Sequence, residues 1–119
     1  MTGEAFVALV RSRRFRWSGE EDLRDGLEAV LREEGVAHER ECVLGPKDRI
    51  DFLVDGGLGV EVKVARGVSA ITRQLHRYAQ HERIAALVLF TTSARLPLLL
   101  PPSLNGKPIL SASLDGGSF

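Results

Sequence analysis

Only one cysteine, Cys42, occurs in the 119 residues of the chain. A single thiol excludes an internal disulfide and a multi-cysteine zinc site, and it fits a reducing, cytoplasmic setting. Apolar runs of membrane-spanning length are also missing, so no helical span is expected. Met1-Thr2-Gly3-Glu4 lacks a basic n-region, and Arg11 interrupts the apolar stretch behind it, which argues against a signal peptide. Low-complexity tracts are absent and aromatics are few, at 6%. Net charge is lacking too: 16 Lys and Arg balance 16 Asp and Glu. That sum argues against a nucleic-acid partner, because such domains are usually basic. What is present is 44% hydrophobic residues, enough at this length for one compact domain around one core.

The neutral total conceals segregated charge. In residues 1–17, Arg11, Arg13, Arg14 and Arg16 face Glu4, a balance of +3. Residues 18–44 hold nine acids against Arg24, Arg32 and Arg40, a balance of −6. Residues 66–83 return to +3, with Arg66, Arg73, Arg77 and Arg83 against Glu82. Such blocks create local potentials that the sum hides. Residues 1–17 read as a basic N-terminal arm with interleaved aromatics, and residues 18–119 as a single domain.

The first expected element is a helix from about Gly19 to Glu34, with Ser18 as N-cap, Glu21 closing a capping box and Gly35 as the stop. Leu23, Leu27, Val30 and Leu31 recur at helical spacing. Extended segments follow at His38–Leu44, Arg49–Val54 and Leu58–Ala65, with Gly45-Pro46-Lys47 as a turn. A second helix is expected from Val68 to His81. Ile84–Thr92 is a nearly continuous apolar run, the pattern of a strand covered on both faces. Pro97, Pro101 and Pro102 forbid long regular structure after it, and Ile109–Leu114 supplies a further strand. The order α-β-β-β-α-β describes a mixed central sheet flanked by helices.

The chemistry concentrates in residues 49–63. Asp55-Gly56-Gly57 suits a three-residue hairpin loop. If Val54 pairs with Leu58, the even-numbered residues Ile50, Phe52, Val54, Leu58, Val60, Val62 and Val64 share one apolar face. The other face then holds Arg49, Asp51, Leu53, Gly59, Glu61 and Lys63, with Asp51 across from Glu61. A one-residue slip would mix the faces, so the pattern selects this register. Facing carboxylates repel unless a positive charge lies between them. Arg49 and Lys63 would supply it in a ladder of surface ion pairs. A hard divalent cation, Mg²⁺ or Mn²⁺, would supply it in a catalytic site. Lys63 would then stand beside the metal, able to orient water or to stabilise charge on a phosphate.

Glu20 lies at helical spacing from the core positions Leu23 and Leu27, so it points toward the sheet; Glu21 does not. An inward acid needs a partner. A cation held by Asp51 and Glu61 is one candidate, and the dipole of its own helix is the other. In the second helix Gln74 and Tyr78 share a side, with Arg73 and Arg77 on the adjacent stripe, a donor set suited to phosphate oxygens. An ordinary amphipathic helix with Tyr78 at the core margin fits the same spacing.

Asp51, then Glu61-Val62-Lys63, with Glu20 ahead and Gln74-Leu-His-Arg-Tyr78 behind, resembles the PD-(D/E)XK nuclease superfamily. Glu20 and Gln74-Leu-His-Arg-Tyr78 look like the Q-x-x-x-Y arrangement of its RecB-like and phage exonuclease branches. The resemblance spans roughly residues 18–92, and Ile50 stands where the motif often has Pro. It implies a restriction-endonuclease-like core and Mg²⁺- or Mn²⁺-dependent hydrolysis of DNA phosphodiesters, with RNA not excluded. Recombination, repair, phage replication and defence are the settings it suggests. By the same resemblance Asp51, Glu61 and the carbonyl of Val62 hold the metal. Glu20 extends the site directly or through water, Lys63 positions the attacking water, and Gln74 and Tyr78 steady the substrate, to which the helix spacing adds Arg73 and Arg77. The alternative is a nucleic-acid-binding or protein-interaction module of the same fold without catalysis. So small a core implies a homo-oligomer, foremost a dimer, or a partner protein that supplies specificity. His38, His76 and His81 lack metal-ligand spacing; His76 and His81 read as surface residues, with a phosphate contact as the alternative, and Cys42 reads as a small core residue.

Overall fold

The computed structural model describes residues 1–64 and 67–114, and it is a mixed α/β fold. The expected continuation of the third strand to Ala65, the basic residue Arg66 and residues 115–119 of the domain lie outside the described residues. The first element is helix α1, Gly3–Arg11, where the sequence suggested an arm. Thr2 caps it by accepting the Ala5 N–H at 3.1 Å. Phe6 and Val10, one turn apart, are fully buried, and the Phe6 ring meets Phe90 edge-on at 5.7 Å. The basic reading of residues 1–17 overlooked this short apolar stripe.

Helix α2, Glu20–Glu33, buries Leu23, Leu27, Val30 and Leu31 as their spacing requires. Its N-cap is Gly19 rather than Ser18. The Ser18 N–H and hydroxyl instead donate to Asp22 Oδ2 at 2.9 and 2.6 Å, so Glu21 closes no capping box. At the other end Gly35 takes φ +66°, and the Val36 N–H returns to the Leu31 carbonyl at 2.9 Å. That αL stop satisfies the last carbonyls of the helix.

Three strands follow as an antiparallel meander: β1 (His38–Gly45), β2 (Asp48–Val54) and β3 (Leu58–Lys63). Helix α3 (Val68–Ala79) crosses to β4 (Ala86–Thr91), which runs parallel to β3. A single helical turn, α4 (Leu96–Leu99), leads to β5 (Ser103–Leu104) and β6 (Lys107–Ser113). The sheet order is β1-β2-β3-β4-β6-β5, with β6 parallel to β4 and β5 antiparallel at the edge. Alternation along β4 sends Val88 and Phe90 to the side of α1 and α2, and Leu87 and Leu89 to the side of α3.

The hairpin register is the expected one, with Val54 opposite Leu58 and Gly56 and Gly57 at φ +84° and +83°. One residue departs from it. Ile50 packs with α3, whereas Phe52, Val54 and Val60 pack with α2. Residues two apart should share a face, so the strand turns over at Asp51. On β1, Arg40 pairs with Phe52 and Cys42 with Ile50, and Glu41 between them takes φ +55°. The two strands turn over at the same level. Of the two histidines expected at the surface, His76 is exposed but His81 is half-buried, as is His38. His38 and His81 are held by Glu28 and Asp48, respectively, each at 2.8 Å. Cys42 is buried as expected.

Candidate functional site

Where β2 turns over, it leaves β3. The ladder between them runs Val54–Leu58, Leu53–Gly59, Phe52–Val60 and stops. Beyond that fork the two acids replace the backbone pairing. The Asp51 N–H donates to Glu61 Oε1 at 3.1 Å, and the Val62 N–H donates to Asp51 Oδ2 at 2.8 Å. Each carboxylate thus satisfies a main-chain donor of the other strand. Both are buried, Asp51 being 7% and Glu61 3% exposed.

Burial raises Glu61 to about 7; the neighbouring Asp51 charge adds to the rise, and Lys63 opposes it. Burial likewise raises Asp51, opposed by the Val62 N–H, Arg24 and Lys63. The Lys63 ammonium lies 3.1 Å from Glu61 Oε2, on the same stretch of β3, as the spacing Glu61-x-Lys63 demands.

The other cation is not the one the sequence suggested. Arg49 pairs instead with Glu41 at 3.4 Å in solvent. Arg24 of α2 takes the position beside Asp51, its Nε 2.9 Å from Asp51 Oδ1. That Nε is buried and its N–H direction misses the oxygen, so charge rather than a well-aligned hydrogen bond holds the contact. The remaining guanidinium nitrogens reach Glu20 Oε1 at 3.1 Å and Glu21 Oε2 at 3.4 Å. Burial alone would lower the Arg24 pKa, but the charges of Asp51, Glu20 and Glu21 raise it overall. Sequence reasoning passed over this residue, although the signal was available. The helical spacing that turns Glu20 inward turns Arg24, four residues on, inward with it.

Glu20 points to the sheet as expected, and its Oε2 accepts the Val64 N–H at 3.0 Å, just past the end of β3. It reaches the acids through Arg24. Among the described residues, no three His, Cys, Asp or Glu side chains converge on one point. Glu21 is mostly exposed and pairs with Arg40 and Arg24.

On α3 the expected substrate contacts separate. Tyr78 is 2% exposed, and its hydroxyl donates to the Arg49 carbonyl at 2.9 Å. Burial, with the charges of Glu61, Asp51 and Asp48, raises its pKa. It anchors the segment that carries Asp51 and presents no phenol to solvent, the core-margin placement that its spacing also allowed. Gln74, one turn earlier, is half-buried. Arg73 and Arg77 are exposed, with Arg77 Nε 3.1 Å from Asp48 Oδ1.

No protein-family model matches the chain, and no curated protein or solved structure matches it either.

Proposed function

We propose that the chain is a metal-dependent nuclease that hydrolyses DNA phosphodiester bonds and is built on a restriction-endonuclease-like core. The observation that carries this reading is the pair Asp51 and Glu61, buried side by side where two strands part, with Lys63 3.1 Å from Glu61. Two adjacent carboxylates, both raised by burial and Glu61 further by the Asp51 charge, are costly to keep ionised together. A hard divalent cation, Mg²⁺ or Mn²⁺, matches that donor set. Asp51 and Glu61 would hold it with the Val62 carbonyl, and Glu20 would join through water. Once bound, such an ion lowers the pKa of its water and offsets charge on the phosphate.

The chain's own residues supply the rest. Lys63 orients the attacking water and offsets charge developing on the phosphate, and its contact with Glu61 fixes its reach. Tyr78 holds the Arg49 carbonyl and so aligns Asp51. Gln74, Arg73 and Arg77 lie along α3 as donors for the substrate backbone. The reading places the protein in the cytoplasm, with a second copy or a partner protein selecting the substrate.

A second reading, a binding module of this fold without catalysis, draws on a specific observation: Arg24 and Lys63 already neutralise the acids within the chain. Cleavage of labelled single-stranded, duplex and branched DNA in Mg²⁺ or Mn²⁺ separates the two. Nicking or degradation is expected, falling at least about a hundredfold in Lys63→Ala. If wild type and Lys63→Ala behave alike on every substrate, the nuclease reading fails and the binding module stands.

A further inference from the structure

We propose that Arg24 is a resident counter-cation for Asp51, one that a divalent ion must displace, so that metal entry is coupled to the first turns of α2. The inference rests on the metal-dependent reading above and deepens it.

Four carboxylates lie within reach of one guanidinium or one another: Asp51, Glu61, Glu20 and Glu21. Arg24 touches three of them, and Lys63 the fourth. A doubly charged ion bound to Asp51 would stand against the buried Arg24 Nε at 2.9 Å from the same carboxylate. Like charges at that separation in a desolvated site repel strongly. One of them must leave.

The geometry equips Arg24 to be the one. Its contact with Asp51 is misaligned and therefore weak in direction. Its other nitrogens are already held by Glu20 and Glu21 on its own helix. When it yields Asp51 it keeps two acceptors, so the departing charge is not stranded. Asp51 likewise keeps the Val62 N–H on its other oxygen, so the carboxylate remains aimed. Lys63 contacts only Glu61 among these acids and stays in place for its own role.

The probe is Mn²⁺ alone, its binding followed by loss of the free-ion paramagnetic resonance signal. Wild type, Arg24→Gln and Asp51→Asn are compared, with no nucleic acid present. Arg24→Gln is expected to bind Mn²⁺ about tenfold or more tightly than wild type, and Asp51→Asn to bind weakly or not at all. Equal affinity in wild type and Arg24→Gln, or weaker binding in the variant, overturns the displacement while leaving the metal site standing. No binding in any of the three overturns the metal site and this inference with it.

If Arg24→Gln does not fold, wild type alone decides by NMR of its arginine Nε–H groups during Mg²⁺ titration. A shift of the Arg24 resonance in step with the Val62 amide supports displacement. A Val62 shift with Arg24 unmoved overturns it.

Discussion

Glu61 carries the largest consequence for pH. Its folded pKa of about 7 lies above its ordinary value of 4.5, so the native state binds the proton more tightly than the unfolded chain. The sign follows from linkage: this group's contribution falls as pH rises from about 4.5 to 7 and then levels off. The full span is on the order of 3 kcal/mol. Paired acids such as Asp48 and Glu28, whose pKa values are lowered, act in the opposite sense at lower pH. The difference between wild type and Glu61→Gln isolates the effect. Urea midpoints at pH 5 and pH 8 should show wild type losing stability relative to the variant at the higher pH, and equal losses would show that Glu61 titrates normally. Saturating Mg²⁺ should reverse the trend. Residue identity at the site was largely legible, since Asp51, Glu61 and Lys63 follow from an alternating pattern and Glu20 from helical spacing. Arg24 was not singled out because it entered only the charge balance of its segment, and spacing alone left Tyr78 open between substrate contact and core margin, where its burial fits the second.

Among the elements, α2, the meander, α3 and β4 were readable because each carries a long, regular pattern of apolar residues and a turn or cap beside it. Helix α1 was not, because nine residues with four nearby arginines look basic before they look amphipathic. Its weight in the fold is testable. Phe6→Ala removes a fully buried ring in contact with Phe90 and should cost about 3–5 kcal/mol. Chemical denaturation measures this, and a loss below about 1 kcal/mol, typical of surface substitutions, would return residues 1–17 to the status of an arm. The turnover at Asp51 was also invisible to the pattern. A strict alternation puts Ile50 beside Phe52, whereas the strand turns over between them, beside the positive φ of Glu41 on β1. Asp51 sits at that turnover, just past the last β2–β3 pair, so the least legible part of the hairpin is the part that makes the site.

At the scale of the whole molecule, much of the segregated charge is paired internally. The acids of α2 apart from Asp22, which accepts from Ser18, are met by Arg13, Arg24, Arg32, Arg40 and His38. Among the described residues Arg11, Arg14, Lys47, Arg73 and Arg95 are exposed and make no ion pair. With so few cations to spare, DNA affinity without metal should be weak and should weaken further as salt rises. Fluorescence anisotropy from 50 to 300 mM salt checks this, and salt-insensitive tight binding would contradict it. Light scattering with and without DNA tests the proposed second copy, which a strictly monomeric state in both would remove.

The fork between β2 and β3 has a kinetic consequence as well. Both strands of the site are joined by a three-residue loop, whereas β4 and β6 reach their places only through long crossovers. Local closure is entropically cheaper than distant closure. The two strands should therefore pair early, before α3 and the parallel half cover the acids, so that only their mutual repulsion, and not their burial, acts on the folding limb. Because burial is the larger cause of the raised Glu61 pKa, protonation should slow unfolding more than it speeds folding. Stopped-flow chevrons at pH 5 and pH 8 would read this directly, with a change confined to the folding limb counting against it.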